Sequence, residues 1–160
     1  MLILNDFSTS VHKALSEIDS DYLDYPGVVV CGTHNPHDTE ALIHAIKLSR
    51  EQEKPFLGIC FGHQLAYIEY CRNVLGIKDA TSEEFGQGTL VVVKRPELKV
   101  GLHEGETWWN NYEIPKELEQ TWDKPEYFIT TQAHPEYQSS RDKPHPLLVN
   151  FLNLCRGKSE

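Results

Sequence analysis

The chain has 160 residues, of which 39% are apolar, and a formal net charge of −9. This length suffices for one buried core, so we expect a single domain over residues 1–160, and no apolar run approaches the length of a membrane span. The acidic balance disfavours nucleic acid and anionic membranes as partners, because both carry negative charge themselves.

The N-terminus and the cysteines predict the compartment. Residues 1–6 (MLILND) contain no basic region and no cleavage pattern, so we expect no signal peptide. Four cysteines, at positions 31, 60, 71 and 155, form no Cys-x-x-Cys pair. Because one of them is a candidate nucleophile, we expect the protein in a reducing cytoplasm.

The first third of the chain has the pattern helix, strand, helix. Apolar residues recur at helical spacing over residues 10–18, and residues 28–31 (VVVC) are an all-apolar run typical of a central parallel strand. Asp38 or Thr39 can cap a helix over residues 40–48. A further strand opens at Pro55.

That strand ends in the pattern of a nucleophile elbow, GICFG over residues 58–62. Gly58 and Gly62 flank Cys60 at minus two and plus two, where only small residues fit beside so sharp a turn. The turn would lift the sulfur into a cleft and direct the Phe61 N–H toward an oxyanion. We also expect the positive end of the following helix to lower the thiol pKa. The alternative is a buried cysteine at a tight turn, with no catalytic role.

The helix after the elbow runs to about Leu75, with Gly76 as its C-terminal cap. Residues 89–94 have a strand pattern, and residues 99–115, with two tryptophans, are expected to form an irregular hairpin. A strand follows at 127–132. A last helix begins at Pro146, with an inner side made of Leu147, Leu148, Phe151, Leu152 and Cys155.

This alternation of strands and helices predicts a three-layer α/β sandwich with a mostly parallel central sheet and helices on both faces. Ligands in such sheets bind at the carboxyl ends of the strands, which is where Cys60 lies. The fold prediction therefore places the candidate nucleophile at the edge where a site is expected.

A nucleophilic cysteine needs a base, and residues 134–136 (HPE) supply one. Pro135 fixes the backbone, and residues two apart in an extended segment point the same way. We therefore expect the Glu136 carboxylate to contact one ring nitrogen of His134 while the other faces the thiol. In isolation His-Pro-Glu is a strand-end turn with a solvated acid; the elbow favours the catalytic interpretation.

These two segments, GICFGHQ at 58–64 and HPE at 134–136, resemble the signatures of class I (triad-type) glutamine amidotransferases. Residues 68–85 and 136–147 resemble the amidotransferase domain of CTP synthase in order and spacing, and the similarity runs from about Val28 to the C-terminus. The resemblance implies a flavodoxin-like fold and glutamine metabolism within pyrimidine nucleotide biosynthesis.

The resemblance also implies roles for the residues. Cys60 attacks the side-chain amide of glutamine, His134 transfers protons, and Glu136 holds His134. An oxyanion is held by one backbone N–H of the elbow and a second from the loop after Val30. The glutamine pocket is lined by Phe61, Gly62, His63 and Gln64, and the polar head of the substrate is bound by Glu84.

Three differences from the family pattern qualify this picture. Thr33 stands where a glycine would offer the second oxyanion N–H, and a positive φ there would cost about 1–3 kcal/mol. Asn111 stands where the family has a glutamine-binding arginine, and an asparagine cannot form a bidentate charged pair. The N-terminal third is short, so at least one strand–helix unit is expected to be missing, and these 160 residues include no synthetase domain.

The sequence gives a weaker basis for a metal site than for a catalytic cysteine. His34 and His37 lie in a proline-bearing loop, with His63 a further candidate, but no cysteine or acid completes the set at a known spacing. We therefore expect neither a metal nor a cofactor.

Three functions fit the sequence. The leading one is a cysteine amidase that hydrolyses glutamine or a related γ-glutamyl amide and releases ammonia. The second is a separate amidotransferase subunit that needs a synthetase partner. The third is a non-catalytic binding or regulatory homologue, which Thr33 and Asn111 favour and the intact Cys60, His134 and Glu136 oppose.

Overall fold

The computed structural model describes residues 1–33, 35–95 and 112–158. In chain order its elements are β1 (Leu2–Leu4), α1 (Ser8–Ile18), β2 (Val28–Val30), α2 (Thr39–Glu51), β3 (Phe56–Ile59), α3 (Phe61–Asn73), β4 (Ala80–Ser82), β5 (Thr89–Lys94), β6 (Tyr112–Glu113), α4 (Lys116–Glu119), β7 (Phe128–Thr131) and α5 (Pro146–Lys158). Short 3-10 turns cover Tyr22–Asp24 and Pro135–Tyr137.

Four strands form a parallel central sheet in the order β1-β2-β3-β7. The register pairs Val30 with Gly58 and Ile59 with Thr131. Because all four strands run the same way, the segments that follow β2, β3 and β7 leave the sheet at one edge. The candidate oxyanion loop, Cys60 and the segment leading to His134 therefore start from the same place.

Helices cover both faces of this sheet, as the sequence predicts. Val29 and Leu57 pack in one core cluster with buried residues of α1 and α5, whereas Val28, Val30 and Phe56 pack in the other with residues of α2 and α3. This alternation follows from the period of two in a strand, which sends successive side chains to opposite faces. The result is the three-layer α/β sandwich.

A second, three-stranded sheet lies beyond α3. In it β4 is parallel to β5, and β5 is antiparallel to β6. Its buried residues Val91 and Val92 join the core cluster that includes Ile68 of α3. β1, β4, β6 and α4, of two to four residues each, are too short to leave a periodic pattern in the sequence. Most of the predicted hairpin at 99–115, with Trp108 and Trp109, lies outside the described residues.

The observed helix ends and caps differ from the predicted ones in several details. Asp38 precedes α2 as expected but makes no capping hydrogen bond and has φ +52°. α3 ends at Asn73 rather than near Leu75, and Gly76, at φ +78°, lies in the turn beyond it. Among the described residues, no helix is both long enough and apolar enough to cross a membrane.

Candidate active site

Cys60 occupies the corner between β3 and α3 with φ +55° and ψ −102°, an uncommon conformation for a residue with a side chain. The glycines beside it are required by close packing. A Cβ at Gly62 would lie 2.0 Å from the Val30 carbonyl oxygen, and a Cβ at Gly58 would lie 2.9 Å from the Gly62 carbonyl group. The predicted tight turn is therefore present, and it brings α3 directly against β2.

The thiol of Cys60 is held in its protonated form. Burial raises its pKa to about 12; the Phe61 N–H opposes this shift, and the charges of Glu136 and Glu84 add to it. The positive charge of Arg95 acts in the lowering direction. The expectation of a lowered pKa is wrong, because Cys60 as a whole residue is only 9% exposed and lost solvation is the largest influence on its thiol.

His134 and Glu136 form a fully buried pair. The Nδ1 atom of His134 lies 3.2 Å from Glu136 Oε1 and 3.4 Å from Oε2. The contact is the predicted one, but the predicted reason is wrong. Pro135–Tyr137 form a 3-10 turn rather than an extended segment, so the turn brings the carboxylate back to the ring.

The His134 ring is fixed by aromatic neighbours. It stacks on Tyr137 at 5.4 Å between ring centroids and meets Phe7 edge-on at 6.3 Å. A Cβ at Gly32 would lie 3.0 Å from its Cε1 atom. The ring therefore lies beside the loop after β2. The strand that leads to His134, β7, is itself bound to the elbow, because Cys60 N–H donates to the Thr131 carbonyl at 2.7 Å. Sequence reasoning assigned no role to Phe7 or Tyr137.

Gln132 contacts the candidate nucleophile directly, although sequence reasoning passed over it. Its Nε2 donates to Cys60 Sγ at 3.5 Å, and its Oε1 accepts from Gln64 Nε2 at 3.1 Å. Gln64 Nε2 also donates to the Tyr112 carbonyl at 3.0 Å. An available signal was that Gln132 directly follows the strand that leads to His134. These bonds connect β7, α3 and β6 around the thiol.

The other predicted pocket residues on α3 differ in where their side chains lie. The N–H of Phe61 approaches the thiol, and its ring packs edge-on against Phe85 at 5.9 Å. The buried His63 ring contacts Thr130 Oγ1 at 2.9 Å and Glu119 Oε1 at 3.4 Å, and burial lowers its pKa. The His63 ring is therefore engaged by a residue of β7 and a residue of α4.

Glu84 lies half-buried in the turn after β4, where its N–H is held by Ser82 Oγ at 3.1 Å. Burial raises the pKa of its carboxyl group to about 7. Its charge also raises the pKa of Cys60 and that of Tyr112. The carboxylate predicted to bind the polar head of a substrate therefore acts electrostatically on the Cys60 thiol.

Thr33 is accommodated without the strain that a positive φ would bring. Positive φ values at described residues other than glycine occur at Asn5, Asp38, Glu53 and Cys60. The Thr33 hydroxyl donates to the Asp6 carboxylate and accepts from Asn35 N–H at 3.0 Å. The Gly32 carbonyl oxygen accepts a hydrogen bond from Phe7 N–H at 3.3 Å. Because the C=O and N–H bonds of a planar trans peptide point in opposite directions, the Thr33 N–H points away from Phe7. Asn111 lies outside the described residues.

A cavity of about 410 Å³ adjoins the site, and it is lined by Arg95, Glu113, Ile114, Lys116, Glu119 and Gln132. Gln132 belongs both to this lining and to the contact with Cys60. Another cavity, of about 260 Å³, lies at α3 beside Trp122 and includes neither Gln132 nor Cys60 in its lining.

The described residues include no group of three His, Cys, Asp or Glu side chains that could hold a metal ion. His37 contacts the Asn35 carbonyl at 2.8 Å and Asp6 at 3.7 Å. His34 lies outside the described residues, so the prediction of no metal stays a prediction.

Comparison with known proteins identifies the relatives of this chain. The sequence model of the family "Glutamine amidotransferase class-I" matches residues 4–121, a stretch that includes Cys60 and ends before His134. The CTP synthase of Methanoculleus marisnigri is 33% identical over 185 residues, covering 85% of this chain and 35% of the relative. That of Sulfolobus acidocaldarius is 31% identical over 199 residues, covering 92% and 37%.

The chain spans about a third of the length of these curated relatives. Both aligned stretches are longer than the 160 residues of this chain, so both alignments contain gaps in it. The expected loss of a strand–helix unit near the N-terminus stays a prediction. A solved structure titled "Trypanosoma brucei CTPS - glutaminase domain with bound acivicin" superposes with a TM-score of 0.68 at 18% identity. The superposition covers 98% of this chain and 92% of that one, which shows the shared fold.

Proposed function

This chain belongs to the class I glutamine amidotransferase family, and from that premise we propose that it is a cysteine amidase. It hydrolyses the side-chain amide of glutamine, or of a related γ-glutamyl compound, and releases ammonia. The observation that carries the proposal is the strained elbow at Cys60, with the buried pair of His134 and Glu136 at the same edge of the sheet.

In the first step Cys60 Sγ attacks the amide carbon. Because burial raises the thiol pKa to about 12, thiolate is scarce at neutral pH, and His134 takes the proton as attack proceeds. The tetrahedral oxyanion accepts hydrogen bonds from Phe61 N–H and from Thr33 N–H. Donors of this kind are worth about 3 kcal/mol each in the transition state.

In the second step His134 protonates the departing ammonia, leaving a γ-glutamyl thioester on Cys60. His134 then takes a proton from water, which attacks the thioester and frees the thiol and the acid product. Glu136 keeps the ring in the correct tautomer and stabilises the imidazolium that forms in each half. The 3.2 Å contact to Nδ1 supports this role.

The polar head of the substrate binds close by. The backbone of residues 61–64 lines the pocket, and Glu84 pairs with the α-ammonium group. A charged partner would restore the ionised form of a carboxyl group whose pKa burial has raised to about 7.

The test is ammonia release from glutamine and from γ-glutamyl amides. We expect release by the native protein and its loss in Cys60→Ala, while Cys71→Ala, which removes another buried thiol from α3, retains it. Labelling with an electrophilic glutamine analogue should map to Cys60. If the native protein showed no release above the Cys60→Ala control and no labelling of Cys60, the proposal would be overturned.

A second candidate is an amidotransferase subunit that acts only with a synthetase partner. Its basis is that the curated relatives, which this chain matches over about a third of their length, are named CTP synthase. Labelling of Cys60 without ammonia release would support it, and a pull-down from the native host should then recover a synthetase that switches release on. The non-catalytic alternative loses one argument, because Thr33 carries no positive φ.

A further inference from the structure

The Gln132 side chain contacts the sulfur of the candidate nucleophile, and the backbone around it fixes its position. Gln132 directly follows β7, whose last residue, Thr131, accepts from Cys60 N–H at 2.7 Å. Thr131 Oγ1 also accepts from Ala133 N–H at 3.1 Å, so both chain neighbours of Gln132 are held. Gln132 Nε2 lies 3.5 Å from Cys60 Sγ. The amide is therefore held at the sulfur by the same strand that leads to His134.

A hydrogen bond from Gln64 determines which end of the Gln132 amide faces the sulfur. A backbone carbonyl only accepts, so the Gln64 atom that lies 3.0 Å from the Tyr112 carbonyl oxygen is the donor Nε2. The same Nε2 lies 3.1 Å from the Gln132 amide, and a donor requires an oxygen there. Gln132 therefore turns its Oε1 toward Gln64 and its NH₂ group toward Cys60.

A donor at the sulfur acts differently on the two forms of the cysteine. A neutral thiol is a weak acceptor, whereas a charged acceptor forms a much stronger hydrogen bond, so the contact favours the thiolate. In the proposed mechanism the sulfur carries negative charge twice. The first occasion is when His134 takes the thiol proton. The second is when the C–S bond of the thioester breaks, because its electron pair goes to Sγ before His134 returns the proton.

We propose that Gln132 is a further catalytic residue, whose side-chain N–H stabilises negative charge on Cys60 Sγ, and that Gln64 is the positioning residue that keeps this N–H turned toward the sulfur. The inference rests on the proposed function and deepens it by adding a group that contacts a reacting atom. Gln64 acts on the sulfur only through Gln132.

The rate at which iodoacetamide alkylates Cys60 measures the reactivity of the sulfur without glutamine, and mass mapping separates Cys60 from the other thiols. Gln132→Met keeps the length of the side chain and removes the donor. We expect alkylation at about pH 8 to slow about threefold to tenfold, because each unit of raised pKa removes about nine-tenths of the thiolate while the remainder becomes about threefold more nucleophilic. Loosened packing alone would expose the thiol and speed alkylation. Gln52→Met, at an exposed position, should match the native protein.

A double-mutant cycle tests the role of Gln64. Gln64→Met leaves the Gln132 amide able to turn over, so alkylation should slow, but less than in Gln132→Met. Adding Gln64→Met to Gln132→Met should change the rate less than about twofold, because a positioning residue has no effect once the group that it positions is gone. Losses that multiply in the double variant would overturn this role of Gln64.

Ammonia release from glutamine separates catalysis from substrate binding. Gln132→Met should lower kcat about 10-fold and leave KM within about twofold, since the charged sulfur forms after the substrate has bound. Thermal melts establish folding, and Gln132→Glu, which keeps the shape of the side chain and the acceptor for Gln64, replaces a Gln132→Met protein that does not fold.

Three results would each overturn the inference: alkylation of a folded Gln132 variant as fast as that of the native protein, a rise in KM with unchanged kcat, or no alkylation of native Cys60. Failure of the proposed function would appear separately, as absent ammonia release by the native protein.

Discussion

At the scale of single residues, burial decides which groups of the site are charged. The same loss of solvation raises the pKa of the Cys60 thiol to about 12 and that of the Glu84 carboxyl group to about 7. In the proposed mechanism the cysteine is therefore a thiol that needs a base, and Glu84 ionises when the ammonium group of the substrate binds. The sequence identified both residues, but it could not predict their protonation, because the motif does not encode how deeply each side chain is buried.

The pKa of Glu84 predicts a pH dependence of substrate binding. An ammonium group pairs with the ionised carboxylate, so glutamine affinity should rise with pH up to about 7 and then level off, changing roughly tenfold per pH unit below that value. Calorimetry with the Cys60→Ser protein between pH 5.5 and 8.5 measures this.

Glu84→Gln should bind glutamine weakly and with little dependence on pH. Glu117→Gln, an exposed carboxylate on α4, is the matched control and should behave like the parent. If the slope below pH 7 persisted in Glu84→Gln, another group would be responsible.

At the scale of elements, the elbow depends on close packing between α3 and β2. α3 begins so close to β2 that Gly62 leaves no space for a methyl group, and Gly58 is nearly as restricted. The sequence predicted this turn well because the glycine spacing is local. It did not predict the 3-10 turn at Pro135–Tyr137, because the alternation rule assumes an extended backbone that the chain abandons after β7.

Gly62→Ala should destabilise the fold by about 3 kcal/mol or more, since its Cβ would lie 2.0 Å from the Val30 carbonyl oxygen and neither backbone can yield cheaply. Chemical denaturation gives the free energy of unfolding. Gly157→Ala is the matched control, because nothing lies within 4 Å of its Cβ position and alanine favours the helix there. A Gly62→Ala protein as stable as the parent would contradict the packing argument.

At the scale of the whole molecule, α1 and α5 are tied together across one face of the sheet. Asp19 follows α1 and accepts from Arg156 of α5 at 2.7 Å, although 137 residues separate them. The Tyr25 hydroxyl donates to the same carboxylate at 2.7 Å. These bonds, that from Tyr25 most of all, lower the pKa of Asp19 to about 2.

Because the folded pKa of Asp19 lies below its ordinary 3.8, the ionised carboxylate stabilises the fold above about pH 4, and this contribution disappears as pH falls toward 2. Thermal unfolding from pH 2 to 7 should show Asp19→Asn melting below the parent at neutral pH and converging with it near pH 2. Asp142→Asn, at an exposed position, should follow the parent throughout. A difference that stayed constant down to pH 2 would rule out the ionised pair as its source.

The sequence by itself determined the family, the parallel sheet and the elbow, because glycine spacing and apolar patterns extend over only a few consecutive residues and can be recognised without the tertiary structure. The tertiary structure decided what surrounds the sulfur. Gln132 donates to Cys60 although 72 positions separate them in the chain, and Arg95, which directly follows β5, lines the same cavity as Gln132. Such contacts, and the thiol pKa that burial sets, depend on segments that meet only when the layers pack.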